Sequence, residues 1–92
     1  MRFEWDEEKA EENRRKHRVP FEPAQEVFDD PRAVPFEDLE HSMAGETRYV
    51  MIGMSAIGLL LLVSFTYRED AIRFISARRA ANWMVKIHED QK

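Results

Sequence analysis

From Tyr49 to Tyr67 the chain carries nineteen consecutive uncharged residues, bracketed by Arg48 and Arg68, in a protein of 92 residues. A run of that length is about enough for one membrane-spanning helix. Its middle argues otherwise. Gly53-Met54-Ser55-Ala56-Ile57-Gly58 puts two glycines and a serine where a hairpin turn would lie, and the flanks leave room for strands of roughly seven to nine residues. A lone span would also leave the short, charged segments around it without a core. The expected structure is a hairpin of Thr47–Met54 and Ile57–Tyr67, with no membrane insertion. Within it, Leu59-Leu60-Leu61-Leu62-Val63 is apolar on both faces, which predicts a central strand covered on both sides by the rest of the chain or by a partner.

The remaining segments supply cover for such a sheet. Arg2-Phe3-Glu4-Trp5 alternates like a short strand, and Asp6 is an N-cap for a helix over Glu7–His17. Glu7, Glu8, Glu11 and Glu12 fall early and Arg14, Arg15 and Lys16 late, in the order the helix dipole favours, with Glu11–Arg15 and Glu12–Lys16 as expected i, i+4 pairs. Phe21, Ala24, Val27 and Phe28 predict a second short helix that stops near Asp29-Asp30-Pro31, read as a turn. Ala33–Glu37 contains Pro35 and suits an edge strand. After a polar connection over Asp38–Gly45 and the hairpin, Arg68-Glu69-Asp70 turns into a strand over Ala71–Ala77. Ala80, Trp83, Met84 and Ile87 then form the apolar stripe of a last helix. The expectation is an α+β fold in the order β-α-α-β-β-β-β-α: a small, mostly antiparallel sheet with two N-terminal helices and one C-terminal helix, forming a single domain over residues 1–92.

Composition narrows the chemistry. There are no cysteines, which removes disulfides, thiolate zinc sites and cysteine nucleophiles together. His17, His41 and His88 lack metal-ligand spacing, so neither a metal nor another cofactor is expected. Met1-Arg2-Phe3-Glu4-Trp5-Asp6 leads into charged sequence without the apolar region of a secretory signal, and a cytoplasmic location is expected. Charge is segregated: residues 1–46 hold 14 acids and 7 Lys/Arg, for −7, whereas residues 47–92 hold 4 acids and 7 Lys/Arg, for +3. Opposed patches suit two different partners.

The cationic half concentrates its arginines in Ala71-Ile72-Arg73-Phe74-Ile75-Ser76-Ala77-Arg78-Arg79. Strict alternation aligns Arg73 with Ile75 and Ala77, a charge on a partly apolar face. Such a charge serves either a site or a structural ion pair with a glutamate. Arg78 at the expected strand-to-helix junction is the stronger candidate, because a helix end and a guanidinium can there address one phosphate. Arg79 reads as a solvated neighbour that adds to a phosphate-binding patch, and Arg68 and Lys16 join it. Arg48 on the hairpin is equally open to a functional or a structural reading. His17 is either an acid or base near neutral pH or a charge facing the helix dipole. His41 and His88 read as surface residues, with His88 a possible substitute acid. Trp83 and Met84 read as core, and Trp5 or Tyr67 as base-stacking alternatives.

Phe3-x-Trp5-Asp6 followed by Lys9, Asn13 and Lys16-His17, then Val19-x-Phe21, Ala24-x-x-Val27-Phe28-x-Asp30-Pro31, Glu46-x-Arg48 with Ile52-Gly53, and Ile72-Arg73-x-Ile75-Ser76-Ala77-Arg78, resembles the BrnT family of bacterial toxins. The resemblance spans nearly the whole chain. It implies a RelE-like fold and a metal-independent endoribonuclease of a type II toxin-antitoxin system that cleaves RNA and inhibits translation. It also implies neutralisation by a BrnA-like antitoxin, with DNA met only through that antitoxin. Arg48, Arg73, Arg78 and His17 are then the candidate catalytic residues, and Lys16, Arg68 and Arg79 candidate RNA contacts. Two positions depart from the family pattern. Arg18 follows the Lys-His pair where glycine is usual, and the last helix has His88 where a tyrosine is common and lacks the usual Glu-Arg pair. The altered helix admits a second reading, a catalytically degenerate homologue that serves as a binding module in an operon-repressing complex.

Overall fold

A computed structural model describes residues 2–91. The uncharged run folds as a hairpin, with β3 (Arg48–Met54) antiparallel to β4 (Leu60–Arg68). The turn is Ser55–Leu59: Ser55 N–H donates to the Leu59 carbonyl at 2.9 Å, and Gly58 N–H to the Ser55 carbonyl at 3.0 Å. Gly58 has a φ of +80°, which a side chain would penalise. Gly53, expected in the turn, lies inside β3 for a different reason. A Cβ there would collide with Val27 Cγ1 and sit 3.2 Å from the Val27 carbonyl oxygen, so its bare backbone lets the segment bearing Val27 rest on the strand. Among the described residues no helix is long and apolar enough to cross a membrane.

Around the hairpin the chain builds a five-stranded mixed sheet in the order β1-β5-β4-β3-β2, with β1 (Arg2–Glu4), β2 (Val34–Glu37) and β5 (Ala71–Arg79). Three of its pairings are antiparallel, and β1 joins β5 in parallel. β4 is central, and Leu60–Val63 is covered on both sides as its composition requires. One face packs Leu61, Val63 and Phe65 with Ile72, Phe74 and Ala77 against Val19, Phe21, Ala24 and Val27. The other holds Ile52 and Leu62 beneath Met84, flanked by Val50, Leu60, Ala80 and Ile87. At about 1.5–3 kcal/mol for each large apolar side chain removed from water, the first face carries most of the stability. We call it the helix-covered face.

α1 (Glu7–His17) starts where Asp6 Oδ1 accepts from the Glu8 and Lys9 N–H groups at 2.8 and 3.3 Å. Glu11 pairs with Arg14 at 2.6 Å, one residue nearer than expected, and the Glu11–Arg15 and Glu12–Lys16 pairs are not formed. The second helix is split into α2 (Phe21–Ala24) and a 3₁₀ segment, Gln25–Asp29. Phe21, Ala24 and Val27 are nevertheless buried together. α3 (Asn82–Glu89) lies on the second face and buries Met84, but Trp83 is 65% exposed and lies outside the core it was expected to join. With eight residues, α3 turns only one narrow stripe to the sheet.

Candidate active site on the open sheet face

β5 reaches Arg79, two residues beyond the expected end, so Arg78 is a ladder residue rather than the last residue before a helix mouth. Ala80 and Ala81 separate the strand from α3, and Ala81 makes no side-chain cap. The pairing also slips once. Ser64 faces Ser76 whereas Phe65 faces Phe74, leaving Ile75 as the extra residue of a β-bulge. That one residue changes the parity of the strand. Ala77 turns into the helix-covered core, opposite Val63, rather than lying beside Arg73. Arg73 and Arg78, five apart and therefore on opposite faces in a regular strand, now share a face, opposite Thr66 and Leu62.

That face can be followed row by row across the sheet. Glu4, Arg73, Thr66 and Arg48 form one row; Ser76, Ser64, Val50 and Phe36 the next; Arg78, Leu62, Ile52 and Val34 the third. Arg68 shares a further row with Ala71 and Arg2. α3 covers Ile52 and Leu62 in the third row and leaves Arg78 at its end exposed, with Arg73 and Arg48 in the first row part-exposed. Arg73 lies 3.7 Å from Glu4, and Arg48 3.1 Å from Glu46. Both pairs are partly exposed, which limits each to about 1 kcal/mol or less. A phosphate can therefore compete with either carboxylate for its guanidinium. Arg78 is exposed and has no carboxylate within ion-pair distance among the described residues. Arg79 is split from this group, since it pairs with Leu61 on the opposite face.

His17 and Lys16 come to the same strand from its edge. β1 covers only Ala71–Arg73 of β5, and α1 lies along the remainder. Lys9, Glu12, Asn13, Lys16, His17, Ile75 and Ser76 enclose a cleft of about 250 Å³ there. Ser76 lines this cleft and also stands in the row between Arg73 and Arg78, so it joins the helix-edge group to the arginine face. Asn13 is the residue that sequence reasoning missed. Its side chain is 5% exposed and completes the unpaired edge of β5: Nδ2 donates to the Ala77 carbonyl at 2.9 Å, and Oδ1 accepts from Ala77 N–H at 3.1 Å. A second Nδ2 proton reaches the Val19 carbonyl at 2.8 Å. Nothing in its local sequence marked it beyond its place in the quoted block. Asn13→Ala should cost about 2 kcal/mol by stranding buried backbone groups, to be read as a lowered denaturant midpoint.

Residues 5–82 match the family described as ribonuclease toxin, BrnT, of type II toxin-antitoxin system. The chain belongs to the BrnT family. Its fold is similar to the 1.1 Å crystal structure of the Brucella abortus ribonuclease toxin BrnT, with a TM-score of 0.68 and 25% identity over 89% of this chain and 99% of that one. No curated protein sequence matches it.

Both departures from the BrnT pattern have structural accounts. Arg18 sits at φ 62°, ψ 23°, in the left-handed region, with its N–H on the Arg14 carbonyl at 2.9 Å. Glycine would hold that cap without the roughly 1–2 kcal/mol an L side chain loses there. His88 is not the surface residue expected of it. Its Nε2 donates to Asp30 Oδ2 at 2.7 Å, and both side chains are 10% exposed. Asp30 also accepts from the Met54 and Arg32 N–H groups at 2.7 and 2.9 Å, so Asp29-Asp30-Pro31 is a turn with a buried anchor. His88 therefore acts as a strut between α3 and that turn. Trp5 packs against Phe21 and Phe74, and Tyr67 meets Tyr49 and Phe65 on the helix-covered side. Neither aromatic shares the arginine face. Among the described residues no three histidine, aspartate or glutamate side chains gather as a metal site would require.

Proposed function

We propose that this BrnT-family protein is a metal-independent endoribonuclease toxin with a RelE-like architecture, which inhibits translation by cutting RNA and is silenced by a BrnA-like antitoxin. DNA enters its biology only through that antitoxin. The observation that carries the reading is the placement of Arg48, Arg73 and Arg78 on one sheet face, outside the part that α3 covers. In the reaction the ribose 2′-oxygen attacks phosphorus, the 5′-oxygen departs, and a 2′,3′-cyclic phosphate remains. Charge developing on the phosphorane oxygens calls for fixed donors, and guanidinium groups present two in parallel without losing their proton. Arg73, backed by Arg48, and Arg78 take that role. His17, at the β5 edge, takes or supplies a proton. Lys16 and Arg68 hold flanking phosphates, and Arg79 meets RNA only where it wraps past the strand end.

Purified protein freed of any partner should cleave RNA in EDTA and leave 2′,3′-cyclic phosphate ends. Loss of all activity on chelation would overturn the metal-independent mechanism. The ion pairs of Arg48 with Glu46 and of Arg73 with Glu4 favour one second reading, a degenerate homologue whose arginines serve structure. Growth arrest on expression without the partner separates the two, since a relic leaves growth unchanged.

A further inference from the structure

Among the described strand residues of the arginine face there is one exposed aromatic ring, Phe36. Phe36 on β2 pairs with Val50 on β3, and therefore stands in the row Phe36–Val50–Ser64–Ser76, next to the row that holds Arg48, Thr66 and Arg73. Arg48 is its diagonal cross-strand neighbour, at a separation of about 7–8 Å. Phe36 is 42% exposed, and no other ring pairs with it among the described residues. The two rows offer groups that suit a nucleotide: the Arg48 and Arg73 guanidinium groups for phosphate, and the hydroxyls of Ser64 and Ser76 in Phe36's own row for sugar or base edges.

We infer that Phe36 is a base-stacking residue, and that single-stranded RNA crosses this face with its phosphates along Arg48 and Arg73 and one base laid on the Phe36 ring. The inference rests on the ribonuclease reading and adds to it the form of the substrate and the direction in which it lies. Single strands are implicated because only an unpaired base exposes a face to an aromatic platform. Charge complementarity selects RNA as the occupant: Glu4 and Glu46 are the carboxylates that meet these arginines, and both pairs are weak enough to yield.

The test uses short 2′-O-methyl RNA strands, which bind without being cut, so that stacking is measured apart from cleavage. Phe36→Ala should weaken binding about tenfold to a hundredfold, while Phe36→Trp should retain or tighten it and show quenched indole fluorescence on saturation. An abasic nucleotide moved along the strand should, at one position, abolish the difference between wild type and Phe36→Ala. Arg48→Ala should reduce the salt dependence of binding by about one counterion, whereas Phe36→Ala should leave that slope unchanged. Equal affinity of wild type and Phe36→Ala, with both folded by circular dichroism, would overturn the proposal. So would a Phe36→Ala defect that every abasic strand retains, or one confined to capture of a protein partner. Phe36-dependent binding without cleavage would instead refute the nuclease and leave the stacking platform standing.

Discussion

Arg73→Ala and Arg78→Ala together are expected to lower RNA cleavage by a factor of about 10³ or more, with the thermal midpoint held within about 8 °C of wild type. The rate estimate follows from fixed donors that meet charge only in the transition state, where losing one donor removes about 10²–10³. The stability estimate follows from position. Arg78 is exposed, and the Arg73–Glu4 contact at 3.7 Å is long and part-exposed, so their joint removal should stay within about 1 kcal/mol. In a domain of this size, 1 kcal/mol moves the midpoint by about 4–8 °C. Arg73→Lys and Arg78→Lys sharpen the result. Lysine keeps the charge but cannot present two parallel donors, so a lysine variant restored to the wild-type rate would make these groups electrostatic only. A double alanine variant that cleaves at the wild-type rate would remove both residues from the mechanism, and a large fall in midpoint with normal cleavage would make them structural.

The order of elements was legible from the chain, because hydrophobic period, the Asp6 cap and the glycine-bearing turn are local signals. α1 occupies Glu7–His17 as its charge order and cap require, and Leu59–Val63 identified the central strand through its lack of alternation. What could not be read was the pairing of strands distant in sequence. Alternation along β5 gives the wrong face for Ala77 because the bulge at Ile75 is set by the mate strand, where Ser64 and Phe65 take partners two residues apart rather than adjacent ones. The same slip unites Arg73 with Arg78, so the arginine cluster owes its geometry to an irregularity that no local rule announces. Phe36 escaped notice likewise, since its value as a platform depends on which strand lies beside β2.

Helix interiors hid a second kind of information. Asn13, in a helix whose outer positions are charged, reads as one more polar residue until the bare edge of β5 is known. His88 reads as a surface residue for the same reason, because its partner Asp30 is 58 residues away in the chain. Trp83 errs in the other direction: its spacing fits the apolar stripe of α3, but an eight-residue helix resting on one end of a sheet buries Met84 and leaves its neighbour in water. Periodicity states which residues share a helix face, whereas the extent of the opposing surface decides how many of them are covered.

Asp30→Ala is expected to cost about 3–4 kcal/mol, a large loss for a polar residue. The carboxylate joins three parts of the fold: the Arg32 N–H within its own turn, the Met54 N–H at the end of β3, and His88 Nε2 on α3. Its removal strands two backbone donors and a side chain that is only 10% exposed, and each such group costs about 1–3 kcal/mol, partly offset by admitted water. The pair also gives stability an acid limb. Burial is the largest influence on Asp30 and pushes its carboxyl up, but the Met54 and Arg32 N–H groups together with the hydrogen bond and charge of His88 outweigh it and hold the carboxyl below its ordinary value. A depressed folded-state value means that the unfolded chain takes up the proton first as acid is added. The contribution is therefore complete above the unfolded carboxylate value of about 3.9 and falls away as pH drops through the lower folded one. Denaturant titrations from pH 7 downward should show wild type losing its advantage over Asp30→Asn in that acid range. An Asp30→Ala variant as stable as wild type would show that α3 is held to the sheet by Met84 and Ile87 alone.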